Sequence, residues 1–245
     1  MDRERFYAML QKKQEFDYEK YLNTEQLLSA QKPYDELCNK DELQFQIVHQ
    51  VEELWLKLLI YSLLDINEYM EQENTNRVII LFKRVHIIQR MMIDQLALLE
   101  TMSPKEYQSI RAQLGNGSGQ ESPGFRALTL APQYLWKTFK TIYLDQKNLT
   151  IEKIYSTEYD HSDAYMMAEC LAEFDELFQK FCYHHMQLIY RSIGFDSKSL
   201  KGRSVELLNS RTRRKLFQEI WDVRTQMTDE WGVEYGVVRR SLPNE

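Results

Sequence analysis

Apolar residues recur every three or four positions along most of this chain, which is the period of an amphipathic helix. Within the stretch 76–102, the apolar run from Val78 to Phe82 could also form a strand. The helical period continues beyond that run for roughly five turns, so we predict a helix there too. A shorter helix is predicted within the polar segment 1–30. The predicted long helices cover 41–72, 76–102, 132–140, 163–193 and 204–231.

Local signals mark two of the predicted helix ends. Ser103, Pro104 and Glu106 have the spacing of an N-cap residue, a first-position proline and the acid of a capping box. Gly194 directly follows the predicted helix 163–193, where a residue with positive φ often ends a helix. These signals predict a sharp helix start after 103 and a helix end before 194.

The residue composition favours a helical fold. The chain has only eight glycines and five prolines in 245 residues, and four of the glycines fall within 115–124. Most of the chain therefore lacks the turn residues that many short strands need, and we predict an all-α helical bundle. The Gly-rich stretch is typical of a functional loop. No linker divides the sequence, so we predict one domain over 1–245, with 1–35 as an arm that packs on something larger.

Charge and cysteine usage narrow the class of protein. The net charge is −6 and the longest basic run has only five residues, so we expect neither a nucleic-acid partner nor a membrane surface. The three cysteines form no CxxC pair, which is typical of reduced thiols in a cytoplasmic protein. The charged first residues do not resemble a signal peptide, and no apolar run is long enough to span a membrane. We therefore expect a cytoplasmic protein.

Polar side chains on three of the predicted helices fall on or near inward faces. His49 shares its helix face with Phe45, Arg111 shares one with Tyr107, and His185 lies among apolar residues of the helix 163–193. Burying such groups without partners costs roughly 1–3 kcal/mol or more each, so they need a reason. One reason is a bound ligand with an anionic end and a metal. The alternative is that each is an ordinary core or ion-pair residue, with His49 satisfied by Glu52 or Glu53.

Several motifs together resemble the tryptophan 2,3-dioxygenase family. The segment Asp41-Glu-Leu-Gln-Phe-Gln-Ile-Val-His-Gln-Val-Glu-Glu-Leu-Trp55 is similar to the family's signature of Asp-Glu, Phe, His-Gln and Glu-Leu-Trp. Leu99-Glu-Thr-Met102 with Tyr107 and Arg111 resembles the next block, and Ser118-Gly-Gln-Glu-Ser122 resembles the Ser-Gly-Phe-Gln-Ser loop. Tyr18-Glu-Lys-Tyr-Leu22 and the segment 216–225 are similar to the two ends of the family's chain. The resemblance runs from about 18 to 227.

This resemblance implies a cofactor and an assembly. His185, followed by Arg191-Ser-Ile-Gly194, stands at the family's haem-ligand histidine, so haem b would lie between helices with its iron bound by His185. The family forms homotetramers, so we expect a homo-oligomer, a tetramer or a dimer. The N-terminal arm would bring Tyr18 and Tyr21 to a neighbouring subunit's site.

The resemblance also assigns a substrate and residue roles. It implies an enzyme that uses O2 on L-tryptophan or a close aromatic amino acid, with 2,3-dioxygenation to an N-formylkynurenine-type product as first choice. Arg111 would bind the substrate carboxylate with help from Tyr107. His49 would meet the indole N–H, Phe45 would pack on the ring, and Ser199 would contact the polar end of the substrate.

The sequence departs from the family in one functional loop. The family has the glycine-rich sequence Gly-Thr-Gly-Gly-Ser-Ser-Gly, whereas this chain has Lys198-Ser-Leu-Lys-Gly-Arg-Ser204. The loop 195–204 therefore leaves the substrate and the product open. One alternative is a haem-dependent monooxygenase that hydroxylates tryptophan, a substituted tryptophan or tyrosine in natural-product biosynthesis. A second alternative is a non-catalytic helical module that binds haem or a partner.

Overall fold

The computed structural model describes residues 2–10, 15–117, 119–198, 202, 214–231 and 241. The described residues contain α-helices, short 3₁₀ and π turns and no strand, so the predicted all-α fold is confirmed. The helices are α1 (Arg3–Leu10), α2 (Asp17–Leu22), α3 (Thr24–Leu28), α4 (Glu42–Glu71), α5 (Thr75–Leu99), α6 (Pro104–Gln113), α7 (Pro123–Phe139), α8 (Ile151–Tyr155), α9 (Asp163–Ile193) and α10 (Gln218–Trp231).

Four long helices, α4, α5, α7 and α9, build the body of the molecule. Helix α4 packs along both α5 and α7, and α9 packs along α5. Helices α4 and α9 both pack on α5 but make little direct contact with each other. The two helices are therefore separated from one another in the bundle.

Polar contacts show that α5 and α9 run parallel. The Gln89 side chain donates a hydrogen bond of 2.9 Å to the carbonyl oxygen of Phe174. Further along both helices, His184 Nε2 lies 2.8 Å from a carboxylate oxygen of Glu100. The residue numbers of the bonded partners therefore increase together along the two helices. Both sets of contacts keep α9 in a defined register on α5.

The predicted helix signals between α5 and α6 and at the end of α9 are confirmed. The Ser103 side chain accepts from the Glu106 N–H, Glu106 reaches back to the Ser103 N–H, and Pro104 is the first helical residue. Helix α9 covers the predicted range and ends at Gly194, whose φ of +85° favours glycine. Local side-chain chemistry thus sets these boundaries.

Two sequence predictions about helix bounds were wrong. The helix predicted from Pro132 begins at Pro123, and Pro132 lies buried inside it. Burial of one face of α7 outweighs the one hydrogen bond that proline cannot make. The helix predicted over 204–231 is interrupted, because 214–217 are not helical and α10 begins at Gln218. Residues 203–213 lie outside the described residues.

The interruption before α10 has a specific cause. The carboxylate of Asp175 is fully buried and accepts hydrogen bonds from the backbone N–H groups of Leu216 and Phe217 at 2.9 and 3.1 Å. The same oxygen accepts from the Trp221 indole N–H at 2.7 Å. These bonds dock the C-terminal helix on α9. In the part of the chain that the structure describes, no helix is both long and apolar enough to cross a bilayer.

Candidate active site

The surroundings of two histidines, one on α4 and one on α9, indicate a cleft between these helices. His49 of α4 and His185 of α9 are both accessible to solvent. Protein atoms surround both rings closely enough to lower their pKa values, and His49 is near enough to His185 to contribute to the lowering at His185. Side chains that are accessible to water and yet enclosed by protein line a concave surface. The two imidazoles therefore share one cleft.

His185 is held as a neutral imidazole. Loss of hydration lowers its pKa to about 4, and His49 and His184 add to the effect. Its ring lies parallel to that of Phe181 one turn earlier, with ring centroids 6.1 Å apart and an interplanar angle of 6°. At neutral pH the ring carries no proton on one nitrogen, which is the form that binds a metal.

The adjacent His184 is turned away from the cleft. Its Nε2 lies 2.8 Å from the Glu100 carboxylate at the end of α5. Arg191 also donates to the carbonyl oxygen of Glu100, at 3.2 Å. Neighbouring helical residues point about 100° apart, so this anchoring of His184 helps to direct His185 towards the cleft.

On the opposite wall, His49 has a defined tautomer. Its Nδ1 lies 2.7 Å from the carbonyl oxygen of Phe45, and a carbonyl only accepts, so Nδ1 carries the hydrogen. Burial lowers the pKa of His49, opposed by this bond and by the Glu53 charge. The neutral ring therefore presents Nε2 as an acceptor. In the alternative interpretation Glu52 or Glu53 could satisfy the ring; at Nδ1 the backbone of its own helix does so.

Aromatic rings extend this wall towards α6. The Phe45 ring centroid lies 4.1 Å from that of His49 and 6.3 Å from that of Tyr107. Tyr107 is partly buried, and burial raises the pKa of its phenol, opposed by the charge of Arg111. The phenol therefore stays protonated at neutral pH and can donate a hydrogen bond. These contacts confirm that the structure brings Phe45, His49 and Tyr107 together.

Arg111 reaches the segment that follows α9. Its Nη2 donates a hydrogen bond of 2.6 Å to the carbonyl oxygen of Lys198. Arg111 is partly exposed, so the other donors of its planar fork remain accessible. A guanidinium beside a neutral phenol and an aromatic wall can bind the carboxylate of an aromatic amino acid.

Two of the predicted site residues are exposed on the N-terminal arm, and a third is not among the described residues. Tyr18 and Tyr21 on α2 are 73% and 89% exposed. Ser199 lies outside the described residues. The roles of all three stay predictions.

Glu52, which the sequence did not single out as a site residue, lies on the same part of α4 as Phe45 and His49. Glu52 is only 8% exposed, and it lies three positions after His49 on the same helix. Its helical phase, about 60° from His49 and about 20° from Phe45, could have revealed it. Burial, and secondly the Glu53 charge, raise its pKa to about 7.

The protein groups fit a haem better than a bare metal ion. Within the described residues there is no group of three or more His, Cys, Asp or Glu side chains that could hold a metal ion. A metal at His185 would need further ligands, and the four pyrrole nitrogens of a haem supply them. The separation of α4 from α9 and the apolar rings beside His185 are compatible with a flat, apolar group.

Comparisons with known proteins place this site in a class. The chain is 30% identical over 260 aligned positions to a tryptophan 2,3-dioxygenase from Myxococcus xanthus, covering 86% of this chain and 89% of that protein. It is 28% identical to the enzyme of that name from Serratia proteamaculans, with 86% and 92% covered, and 25% identical to that of Bacillus cereus, with 88% and 94% covered. These relatives are dioxygenases, which are oxidoreductases, so the prediction of an enzyme of this class is confirmed.

The family itself follows from a second match. The sequence profile of the tryptophan 2,3-dioxygenase family matches residues 8–131, which include α4, α6 and most of α7. The chain belongs to the tryptophan 2,3-dioxygenase family. The resemblance drawn from the motifs is thereby confirmed.

Proposed function

We propose that this protein is a haem-dependent oxygenase that uses O2 on L-tryptophan or a close aromatic amino acid. The first choice of reaction is 2,3-dioxygenation of the indole ring to an N-formylkynurenine-type product. The observation that carries the proposal is the proximity of His49 on α4 and His185 on α9, two imidazoles whose pKa values are both lowered and which lie near enough to influence each other. Family membership supports tryptophan dioxygenation.

His185 is the residue that would hold the haem iron. The position of its side chain on α9, its lowered pKa and the parallel ring of Phe181 support this role. Haem, when bound, supplies an iron centre that binds and activates O2. The Glu100–His184 contact would keep the ligand helix from rotating.

The substrate would be held by polar groups at one end and by rings at the other. Arg111 would pair with the substrate carboxylate, and the Tyr107 hydroxyl would donate to it. Phe45 would pack against the indole ring, and His49 Nε2 would accept from the indole N–H. Ser199 would contact the polar end of the substrate, as the family resemblance implies.

The exposed N-terminal arm supports a homo-oligomer. Tyr18, Tyr21 and Leu22 leave large apolar areas in contact with water, which is costly for a segment with no partner. We propose that the arm 1–35 packs on a neighbouring subunit and that Tyr18 and Tyr21 complete its site, in a tetramer or a dimer.

A haem-dependent hydroxylase of aromatic amino acids is the second candidate. The observation that favours it is the segment beginning at Lys198, which contacts Arg111 and lacks most of the family's glycines. A stiffer loop closes less well over a substrate, and loop closure decides how completely water is excluded. The substrate or the product could therefore differ from those of the relatives. The non-catalytic alternative has no support from relatives that are dioxygenases.

Product mass after turnover with ¹⁸O₂ tests the proposal. Purified protein loaded with haem would be incubated with tryptophan, ring-substituted tryptophans and tyrosine, with His185→Ala as the matched control. Dioxygenation adds two labelled atoms, whereas hydroxylation adds one and reduces the other to water with two electrons, so a reductant such as ascorbate is included in the assay. Two labelled atoms in the product of tryptophan support the first choice, and one supports the second. Absence of haem binding or of any labelled product would contradict both.

A further inference from the structure

Glu52 differs from the other buried carboxylates of this protein. Glu42 accepts hydrogen bonds from Lys32 and from the Cys38 backbone, and Asp175 accepts from several N–H groups. Glu52 has no hydrogen bond or ion pair among the described residues, although it is 92% buried. An unpaired buried polar group has a substantial cost in stability, so its presence calls for a partner from outside the chain.

The position of Glu52 along α4 places it where the cleft ends. His49 is exposed, Glu52 is nearly covered, and Leu56, one turn later, is completely buried. Glu52 lies roughly 4.5 Å further along the helix axis than His49, on the face shared with Phe45. Accessibility therefore falls from His49 to the solid core. Glu52 is the last polar residue of that face before the core begins.

Helix α7 packs closely on α4 one turn beyond Glu52. A side-chain carbon at Gly124 would come within 2.6 Å of Leu56, so the two helices are tightly packed there. Phe125, which follows Gly124, packs against Phe181 of α9 in a tilted arrangement with ring centroids 5.2 Å apart. The carboxyl oxygens of Glu52 are nevertheless not among the sealed, unpaired atoms of the described residues. They keep a small accessible surface in an otherwise apolar region.

Glu52 and Arg111 would therefore address opposite ends of one ligand. Arg111 lies at the mouth, beside the segment at Lys198. An aromatic amino acid held there by its carboxylate would direct its ring past Phe45 and His49 towards Glu52. We propose that Glu52 is a specificity-determining residue that hydrogen-bonds a hydroxyl group on the far side of the substrate ring, so that the enzyme prefers a phenol or a hydroxyindole. This inference rests on the proposed function.

Glu52 and a substrate hydroxyl group can form a hydrogen bond in either protonation state of the carboxyl. A neutral carboxylic acid donates a hydrogen bond to the hydroxyl oxygen, and a carboxylate accepts a hydrogen bond from the hydroxyl group. A site built to bond a hydroxyl rejects the analogue that lacks it, because the buried group of the site is then left unpaired. The expected preference for the hydroxylated ligand is about tenfold or more.

The test measures binding to the haem-loaded protein, with two pairs of ligands that differ by one hydroxyl. The pairs are tyrosine with phenylalanine, and 5-hydroxytryptophan with tryptophan. Dissociation constants by calorimetry are compared for the native protein, Glu52→Gln and Glu52→Leu. The matched control is Glu68→Leu, which removes an exposed carboxylate from the same helix. Thermal unfolding of each variant verifies that it is folded.

We expect the native protein and Glu68→Leu to bind the hydroxylated member of at least one pair about tenfold or more tightly. Glu52→Leu should reduce that ratio to within about twofold, and Glu52→Gln, whose amide still bonds, should lie between. Equal binding within both pairs, or a preference that survives in Glu52→Leu, would overturn the role of Glu52 alone. Failure to bind any of the four amino acids would overturn the proposed function and this inference with it.

Discussion

The guanidinium of Arg111 donates a hydrogen bond of 2.6 Å to the carbonyl oxygen of Lys198. This bond joins α6 to the segment after α9, which departs most from the family in sequence. If Arg111 binds the substrate carboxylate as proposed, substrate binding and the position of that segment are connected through one side chain. The bond uses one donor of a planar fork that has five N–H groups, so the guanidinium can hold the loop and a carboxylate together.

Replacement of Arg111 should weaken the binding of amino acids selectively. Loss of one partner of a desolvated charge pair costs roughly 2–5 kcal/mol, so Arg111→Ala should lose tens to thousands of times in affinity for tryptophan. Tryptamine, which lacks the carboxylate, serves as the matched ligand and should bind the native protein and the variant about equally. Calorimetry checks both. Equal affinity of the native protein for tryptophan and tryptamine would contradict this role.

The two adjacent histidines of α9 should differ in haem binding. His185→Ala should purify with little or no haem, because it removes the side chain that faces the cleft. His184→Ala should keep most of its haem, since His184 contacts Glu100 instead. Haem content per chain and the absorption spectrum measure the difference. An unchanged spectrum in His185→Ala would disprove the assignment.

His49 should orient the substrate without being indispensable for turnover. The indole N–H is a weak acid, so no strong base is needed at Nε2, and His49→Ala should keep measurable turnover with weaker tryptophan binding. Burial lowers the pKa of His49 below its ordinary value of 6.5. Affinity should therefore stay constant from pH 8 to 6.5 and fall only at lower pH, as Nε2 becomes protonated. Complete loss of turnover with normal haem and substrate binding would show a larger role.

Glu52 should make the unfolding free energy depend on pH. Burial raises its pKa to about 7 from an unfolded value of 4.5, so the folded state binds more protons between these values. This stabilisation is complete below pH 4.5 and is lost as the pH rises through 7. The loss is on the order of 3 kcal/mol. Urea unfolding without substrate should show that the free energy of unfolding of Glu52→Gln increases relative to that of the native protein between pH 5 and 8. A difference in this free energy that stays constant with pH would contradict the prediction.

Gly124 should be intolerant of a side chain. A Cβ atom there would meet Leu56 at 2.6 Å, and crowding of a packed region costs roughly 1–3 kcal/mol. Gly124→Ala should therefore lower the free energy of unfolding, although alanine favours helices. Gly119→Ala is the matched control, since nothing lies within 4 Å of its added carbon. Equal free energies of unfolding for the two variants would show that the close approach of α7 to α4 does not limit stability.

Much of the helical architecture was determined by the sequence alone. Helical period predicted α4, α5 and α9, and the capping residues from Ser103 to Glu106 predicted the start of α6, because both depend on neighbours three or four positions away. The same local spacing placed Phe45 with His49, and Tyr107 with Arg111. Motif resemblance then identified His185 among otherwise ordinary core residues.

Tertiary packing determined the features that the local spacing of residues cannot predict. Pro132 remains inside α7 because burial of its face outweighs a missing hydrogen bond, and the start of α10 depends on Asp175, about 40 positions earlier in the chain. Nδ1 of His49 is satisfied by the Phe45 carbonyl, whereas Glu52 has no partner among the residues that the structure describes. A sequence shows which side chains share a helix face, but only the packed helices determine which of them meet a partner and which face an open cleft.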